Sequence, residues 1–178
     1  MRIAIVGARG QLGAAVVEEC SPGHRTIGFA RDDLDIADDQ AVIEAMLQFR
    51  PDAIVNGLAY TDVDGAEMHP IDALNANAFA VRTLARAATA AGAALVHYSA
   101  DFVFDGAASA PYSENDRPNP RSVYAASKLL GEWFAADAAP AYVLRVESLF
   151  GRTATGPPPR GTVANIGSAN LNARSVTW

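Results

Sequence analysis

Short, uninterrupted apolar runs alternate along this chain with longer stretches of helical periodicity. The runs fall at 2–6 (Arg-Ile-Ala-Ile-Val), 26–30, 53–56, 94–99 and 141–146. Runs of this length, apolar on both faces, are the pattern of strands buried in a parallel sheet. A very short strand-like piece, Leu-Asp-Ile, stands at 34–36. Between the runs the spacing becomes that of helices. One helix opens in the glycine-rich stretch after Val6 and runs to about Cys20. A second, 38–49, has its apolar residues at Val42, Ile43, Met46, Leu47 and Phe49 and is stopped by Pro51. A third, alanine-rich, covers 71–91, contains Asn75 and Asn77, and ends at Gly92. A fourth carries Tyr124 and Lys128 and reaches about Ala136. This alternation predicts an α/β fold, a Rossmann-like doubly wound parallel sheet with right-handed crossovers.

Ligands of such sheets bind beyond the carboxyl ends of the strands, and the candidate chemistry of this chain collects there. The first strand runs straight into Gly7-Ala-Arg-Gly-Gln-Leu-Gly13, spaced G-x-x-G-x-x-G, and then a helix. Its glycines suit a tight turn, close approach of backbone to a pyrophosphate, and close helix–strand packing. The pyrophosphate would rest on the helix N-terminus, where free N–H groups and the dipole favour an anion. The second strand ends in Arg31-Asp32-Asp33, where the adenosine ribose is read. An arginine suits a 2′-phosphate and a carboxylate suits a free 2′-hydroxyl. Both are present, so NADP and NAD stay open, with a lean to NADP. Small residues follow the third strand at 57–61, and a loop rich in Pro, Asn and Asp runs from about 101 to 122. Loops of that length often serve as lids or binding loops.

Tyr124 and Lys128 stand four residues apart, so phenol and ammonium share one helix face. Lys128 is the only lysine among fourteen basic residues. A nearby ammonium favours the phenolate and is expected to lower the tyrosine's pKa from about 10 toward neutrality.

Composition narrows the partners. A net charge of −6 argues against nucleic acid and anionic membrane surfaces. A lone cysteine, Cys20, forms no internal disulfide, and there is no apolar run of membrane-spanning length. A soluble, cytoplasmic protein is expected. His24, His69 and His97 lack metal-ligand spacing and read as surface or strand residues. Trp133 reads as a core residue or a dimer-face anchor. The character of the chain changes at residue 152. All twenty acidic residues precede it, and 152–178 holds three Arg, Pro157-Pro-Pro159 and scattered Gly, Ser and Asn. The expectation is therefore one domain over 1–151 and an irregular or disordered tail over 152–178.

Four motifs in order then resemble a family. They are Gly7-x-x-Gly10-x-x-Gly13, Asn56-Gly-Leu-Ala59-Tyr-Thr-Asp-Val-Asp64, His97-Tyr-Ser-Ala-Asp-Phe-Val-Phe-Asp-Gly106 and Tyr124-x-x-x-Lys128. Together they resemble the extended short-chain dehydrogenases/reductases, in particular the dTDP-4-dehydrorhamnose reductases and their relatives. The resemblance implies an NAD(P)-dependent oxidoreductase that reduces the 4-keto group of a dTDP-4-keto-6-deoxysugar. It implies Tyr124 as general acid, with Lys128 lowering its pKa and holding the nicotinamide ribose. Gly7, Arg9, Gly10, Gln11, Leu12 and Gly13 would line the cofactor turn. Arg31 would stand at the adenosine ribose, Asp35 and Ile36 at the adenine, and Leu58, Ala59 and Tyr60 on the ribose side. Tyr98 falls at another cofactor position and Asp101 at a sugar-contacting one. Ala15 stands where some relatives carry a metal-binding carboxylate, so no metal is expected. The Tyr124 helix commonly builds dimers in this superfamily, which makes a homodimer an expectation.

Three departures accompany the resemblance. Ala100 occupies the position of a carbonyl-polarising Thr or Ser, and losing one such donor costs on the order of 10²-fold or more in rate. Ser148 stands where many members carry a Trp near the sugar. The resemblance stops just after Gly151, so the C-terminal substrate part is missing and a truncated or frame-shifted chain is expected. These departures make turnover by this short form an open question. They suggest, as a second reading, a non-catalytic dinucleotide-binding or regulatory subunit, a role known among methionine adenosyltransferase regulatory subunits of the same family. An inert fragment is the third.

Overall fold

A computed structural model describes residues 1–149 of the chain. Five strands form one sheet: β1 (Arg2–Val6), β2 (Arg25–Phe29), β3 (Ala53–Asn56), β4 (Ala94–Ala100) and β5 (Ala141–Val146). Their order is β2-β1-β3-β4-β5 and every pairing is parallel. The fold is thus the expected Rossmann-like α/β sheet. Each crossover carries helix: α1 (Gln11–Cys20), α2 (Asp39–Phe49), α3 (Val63–Met68), α4 (Pro70–Leu74), α5 (Ala80–Ala91) and α6 (Val123–Ala135).

Side chains alternate across the sheet because successive strand residues point to opposite faces. Ala4, Val6, Ile54 and Leu95 pack on one face against Val42, Met46 and Phe49 of α2 and the buried residues of α5. Ile3, Ile5 and Val55 form a smaller cluster on the other face with Val16, Val17 and Cys20 of α1 and with Tyr98. Register sets the shape of the functional edge. Val6, Phe29, Asn56 and His97 lie in one row across β1 to β4, so the first three strands end there. β4 continues through Tyr98, Ser99 and Ala100, still paired with Leu144, Arg145 and Val146 of β5, and forms a ledge.

Two expected elements differ. Residues 34–36 form no strand. Asp33 and Asp35 each accept a nearby backbone N–H, from Ala30 at 2.8 Å and Ala37 at 3.0 Å. Such local bonds draw the backbone away from a ladder. The helix expected over 71–91 is three pieces. Pro70 opens α4, a π-helical turn occupies Asn75–Phe79, and α5 completes it. Upstream, α3 is a further helix, capped by the Asp62 carboxylate accepting the Gly65 N–H at 2.9 Å. Helix α2 conforms, with Asp38 as its cap. The tail expected over 152–178 lies outside the described residues.

Candidate active site

The glycine turn joins β1 to α1. Gly7 has φ +80°, and a Cβ there would stand 2.8 Å from the backbone of Gly57 and Leu58. At Gly13 a Cβ would come within 2.1 Å of the Gly7 carbonyl oxygen. These two positions exclude any side chain and let β1, β3 and the first turn of α1 approach closely. Gly10 caps α1 with no side-chain bond, and no acidic residue occupies the first turn. The first N–H groups of that ten-residue helix are free of carboxylate neighbours on their own helix. Gln11 reaches across to the Leu149 carbonyl at 3.4 Å, and Leu12 is half-buried beside it.

The end of β2 is tied to this turn. The Gly7 and Ala8 N–H groups both donate to the Phe29 carbonyl, at 2.9 and 3.1 Å. Residues 30–33 follow as a turn beside Arg9, whose guanidinium lies 3.1 Å from Asp32 and 3.6 Å from Asp33. Arg31 is exposed at the same corner, and Ile36 packs on the larger core cluster just beyond Asp35.

At the ends of β3 and β4 the polar groups are buried and interlocked. Asn56 Nδ2 donates to His97 Nδ1 at 3.1 Å, and Asn56 Oδ1 accepts the Leu58 N–H at 3.1 Å. An amide nitrogen only donates, so the His97 proton sits on Nε2. Burial, with Lys128 nearby, lowers the His97 pKa to about 3. Asn77, in the π-helical turn, grips Tyr60 as a strand would. Its Oδ1 accepts the Tyr60 N–H at 2.9 Å and its Nδ2 donates to the Tyr60 carbonyl at 3.0 Å. Ala59 is left exposed at the surface of this segment. Asn77 Nδ2 also reaches Ser127 Oγ at 3.0 Å, and Ser127 in turn donates to the Tyr124 carbonyl at 2.7 Å. A π-turn supplies the register for this reach, and Gly131 supplies the room, since a Cβ there would meet the Asn77 carbonyl oxygen at 2.1 Å.

Helix α6 is held at both ends. Ser122 caps it by accepting the Ala125 N–H, and Glu67 accepts the Val123 N–H at 2.8 Å. Near its far end, Glu132 takes Arg145 of β5 in two bonds, 2.9 and 2.7 Å. Tyr124 and Lys128 thereby face the β4 ledge. Tyr124 is half-buried, edge-on to Phe102 at 5.9 Å. Lys128 is 3% exposed and donates to the Tyr98 carbonyl at 2.5 Å. Asp101 opens the short turn after the ledge.

The titration expected of Tyr124 is corrected here. Its pKa is raised, chiefly by burial and then by the negative charge of Asp101. The Lys128 ammonium is committed to a carbonyl on the ledge, and burial with the Asp101 charge decides the direction at the phenol. Burial instead lowers Lys128 itself to about 8, with Glu132 opposing the shift. Burial also raises Asp101. The phenol therefore keeps its proton at neutral pH, the form a proton donor requires.

The other expectations sort clearly. The glycine turn, Leu58–Tyr60, Tyr98, Asp101, Tyr124 and Lys128 all lie along the carboxyl edge of the sheet. His97 is a strand residue as expected but is buried, and Trp133 is exposed rather than core. Asn56, Asn77, Ser127 and Glu132 were not singled out from sequence as site residues. The visible signals were an asparagine amid alanines at Asn77 and the place of Asn56 at the head of a family motif. Among the described residues no cluster of potential metal ligands occurs.

Comparison with known proteins agrees with this geometry. Residues 1–165 match the sequence model of the RmlD substrate-binding domain family. A dTDP-4-dehydrorhamnose reductase of Sinorhizobium fredii is 39% identical over 153 residues, 85% of this chain and 52% of that protein. A probable low-salt glycan biosynthesis reductase of Haloferax volcanii is 35% identical over 83% of this chain and 53% of its own length. The crystal structure of a Bacillus anthracis dTDP-4-dehydrorhamnose reductase in complex with NADP superposes with a TM-score of 0.83 at 35% identity. That superposition covers 87% of this chain and 56% of the other. The chain thus spans about half the length of the relatives it matches, and it belongs to the RmlD substrate-binding domain family.

Proposed function

We propose that this chain is the cofactor-binding, proton-donating half of an NAD(P)H-dependent reductase acting on the 4-keto group of a dTDP-4-keto-6-deoxysugar. The reading is supported above all by the convergence of two features at one sheet edge. One is a side-chain-free glycine cradle and the other a buried Tyr–Lys pair on the β4 ledge. The turn fits a dinucleotide, because Gly7 and Gly13 let β1, β3 and the first turn of α1 pack backbone against backbone and no acidic side chain of α1 competes at the helix N-terminus.

The reduced nicotinamide, when bound, supplies the hydride. The chain supplies the rest. Gln11 and Leu12 offer backbone N–H groups to the pyrophosphate beside Gly10, whose own N–H closes the turn onto the Gly7 carbonyl, and Asp35 and Ile36 flank the adenine. Leu58, Ala59 and Tyr60, locked by Asn56 and Asn77, form the ribose wall with Tyr98. The Tyr124 phenol gives its proton to the oxygen of the reduced carbonyl. Lys128, one helical turn away and held on the Tyr98 carbonyl, anchors the nicotinamide ribose. Asp101 contacts the sugar. Ala100 offers no hydroxyl to the carbonyl, so rates below those of full reductases are expected. A cytoplasmic setting and a homodimer through the exposed Trp133 face of α6 complete the reading.

The test is calorimetric binding of NADPH and NADH to the purified chain, followed by NADPH oxidation with dTDP-4-dehydrorhamnose. Tyr124→Phe is expected to keep binding and lose about 10²-fold or more in rate. Ala100→Thr is expected to raise the rate. Binding without turnover, unrestored by Ala100→Thr, would instead establish a non-catalytic dinucleotide-binding subunit.

A further inference from the structure

Arg145 lies outside the Tyr124–Lys128 pair but touches both elements that place the phenol. Helix α6 carries Tyr124, Lys128 and Glu132 at four-residue intervals, so the three follow one another along one side of the helix. Two of them are tied to the sheet. Lys128 bonds the Tyr98 carbonyl of β4, and Glu132 receives Arg145 of β5 in two bonds of 2.9 and 2.7 Å. Tyr124 has no such tie. Among the described residues its hydroxyl makes no hydrogen bond, and its ring stands edge-on to Phe102 at 5.9 Å.

Phe102 belongs to the loop that follows β4, and Arg145 holds that loop as well. Its guanidinium lies over Phe104, 4.9 Å from the ring centroid. Phe104 stacks on Tyr112, with centroids 4.3 Å apart and an interplanar angle of 6°. The Tyr112 hydroxyl donates to Asp105 at 2.7 Å, and Asp105 also accepts Asn119 Nδ2 at 2.8 Å. Asn119 brings the loop back to its start, its N–H donating to the Val103 carbonyl at 2.8 Å. One guanidinium thus joins α6 to the loop. Its planar fork makes two bonds to a carboxylate while its face covers a ring; an ammonium cannot do both. The side chains of Arg145 and Glu132 are only 23% and 9% exposed. A pair this buried adds little net stability, because desolvation offsets its attraction, so it says more about arrangement than about strength.

We infer that Arg145 is a positioning residue for the proton donor: by holding Glu132 and Phe104 together it fixes α6 against the loop and so seats the Tyr124 phenol beside Phe102. Lys128 keeps its own bond to β4, so the cofactor side of the helix does not depend on Arg145. The inference rests on the proposal that Tyr124 donates the proton.

The nuclear Overhauser contact between the Phe102 and Tyr124 rings, measured on the cofactor-free full chain, tests it. NADPH oxidation with dTDP-4-dehydrorhamnose is the second readout. Arg145→Lys keeps a charge opposite Glu132, and Phe104→Leu keeps the ion pair. Each is expected to lose the ring contact and about 10-fold in kcat, with the KM for NADPH within about two-fold. Circular dichroism verifies that the variants fold, and Phe104→Leu alone decides if Arg145→Lys does not. A ring contact absent from the unaltered chain, or persisting in a folded variant, overturns the inference. So does a rise in the KM for NADPH as large as the fall in kcat, the mark of general loosening. If the unaltered chain shows the ring contact without turnover, the proton-donor reading fails, and the ring contact still decides whether Arg145 seats Tyr124.

Discussion

The two ends of the carboxyl edge place polar groups in opposite physical regimes. At the seam between β3, β4 and α6, Asn56, His97, Asn77, Ser127 and Lys128 are all at most 3% exposed. At the rim beside β1 and β2, Arg9, Arg31 and Asp32 stand in water. In the seam a hydrogen bond is strong and an orphaned group expensive, so each side chain has one address. At the rim the same bond strengths are nearly cancelled by hydration, so partners exchange. A cofactor site needs both: fixed walls near the reacting atoms and adaptable charge at the distant end, where the ligand arrives.

The sharpest way to break this contrast is to titrate the seam. The His97 pKa falls from its ordinary 6.5 to about 3 on folding. The unfolded chain therefore holds more protons between those values. Stability from the neutral ring is fully present above pH 6.5 and is lost as pH falls toward 3. The expected loss is on the order of 4 kcal/mol relative to His97→Gln, which has nothing to titrate. Urea unfolding of both chains across that pH range measures it, and parallel stability curves would place His97 in water. Next in size is Asn77→Ala. It leaves the Tyr60 N–H and carbonyl and the Ser127 hydroxyl without their shared partner. A loss of about 3 kcal/mol is expected in denaturant unfolding. The smallest effect is at the rim, where Arg9→Ala is expected to change unfolding stability by about 0.5 kcal/mol or less. A loss there as large as that of Asn77→Ala would erase the distinction between the two regions.

Much of the fold was legible because buried parallel strands advertise themselves as short apolar runs. β1, β3 and β5 stand where the runs do, and β4 extends its run by one residue. The glycine turn was legible because it follows an apolar run directly, with Gly7 at φ +80° and Gly13 meeting Gly7 six residues back. What periodicity did not reveal depends on partners distant in sequence. The π-helical turn at Asn75–Phe79 exists where Asn77 meets Tyr60 and Ser127, seventeen and fifty residues away. The direction of the Tyr124 pKa was missed for a related reason. Spacing puts Lys128 on the same helix face, but only the fold shows its ammonium on the Tyr98 carbonyl and the phenol buried near the Asp101 charge. The resemblance read from motifs ends after Gly151, whereas the family match runs to residue 165.

The solitary, buried Lys128 also gives the protein a built-in reporter. Apart from the chain's own amino terminus, it is the only primary amine in the sequence. Amine-reactive reagents reach its Nζ only when α6 lifts from the ledge, so the modification rate counts openings of the seam. Reductive methylation with isotopically labelled formaldehyde would place one side-chain resonance at the centre of the site. A single peak then tells how often the Tyr–Lys helix breathes, and whether a dinucleotide quiets it.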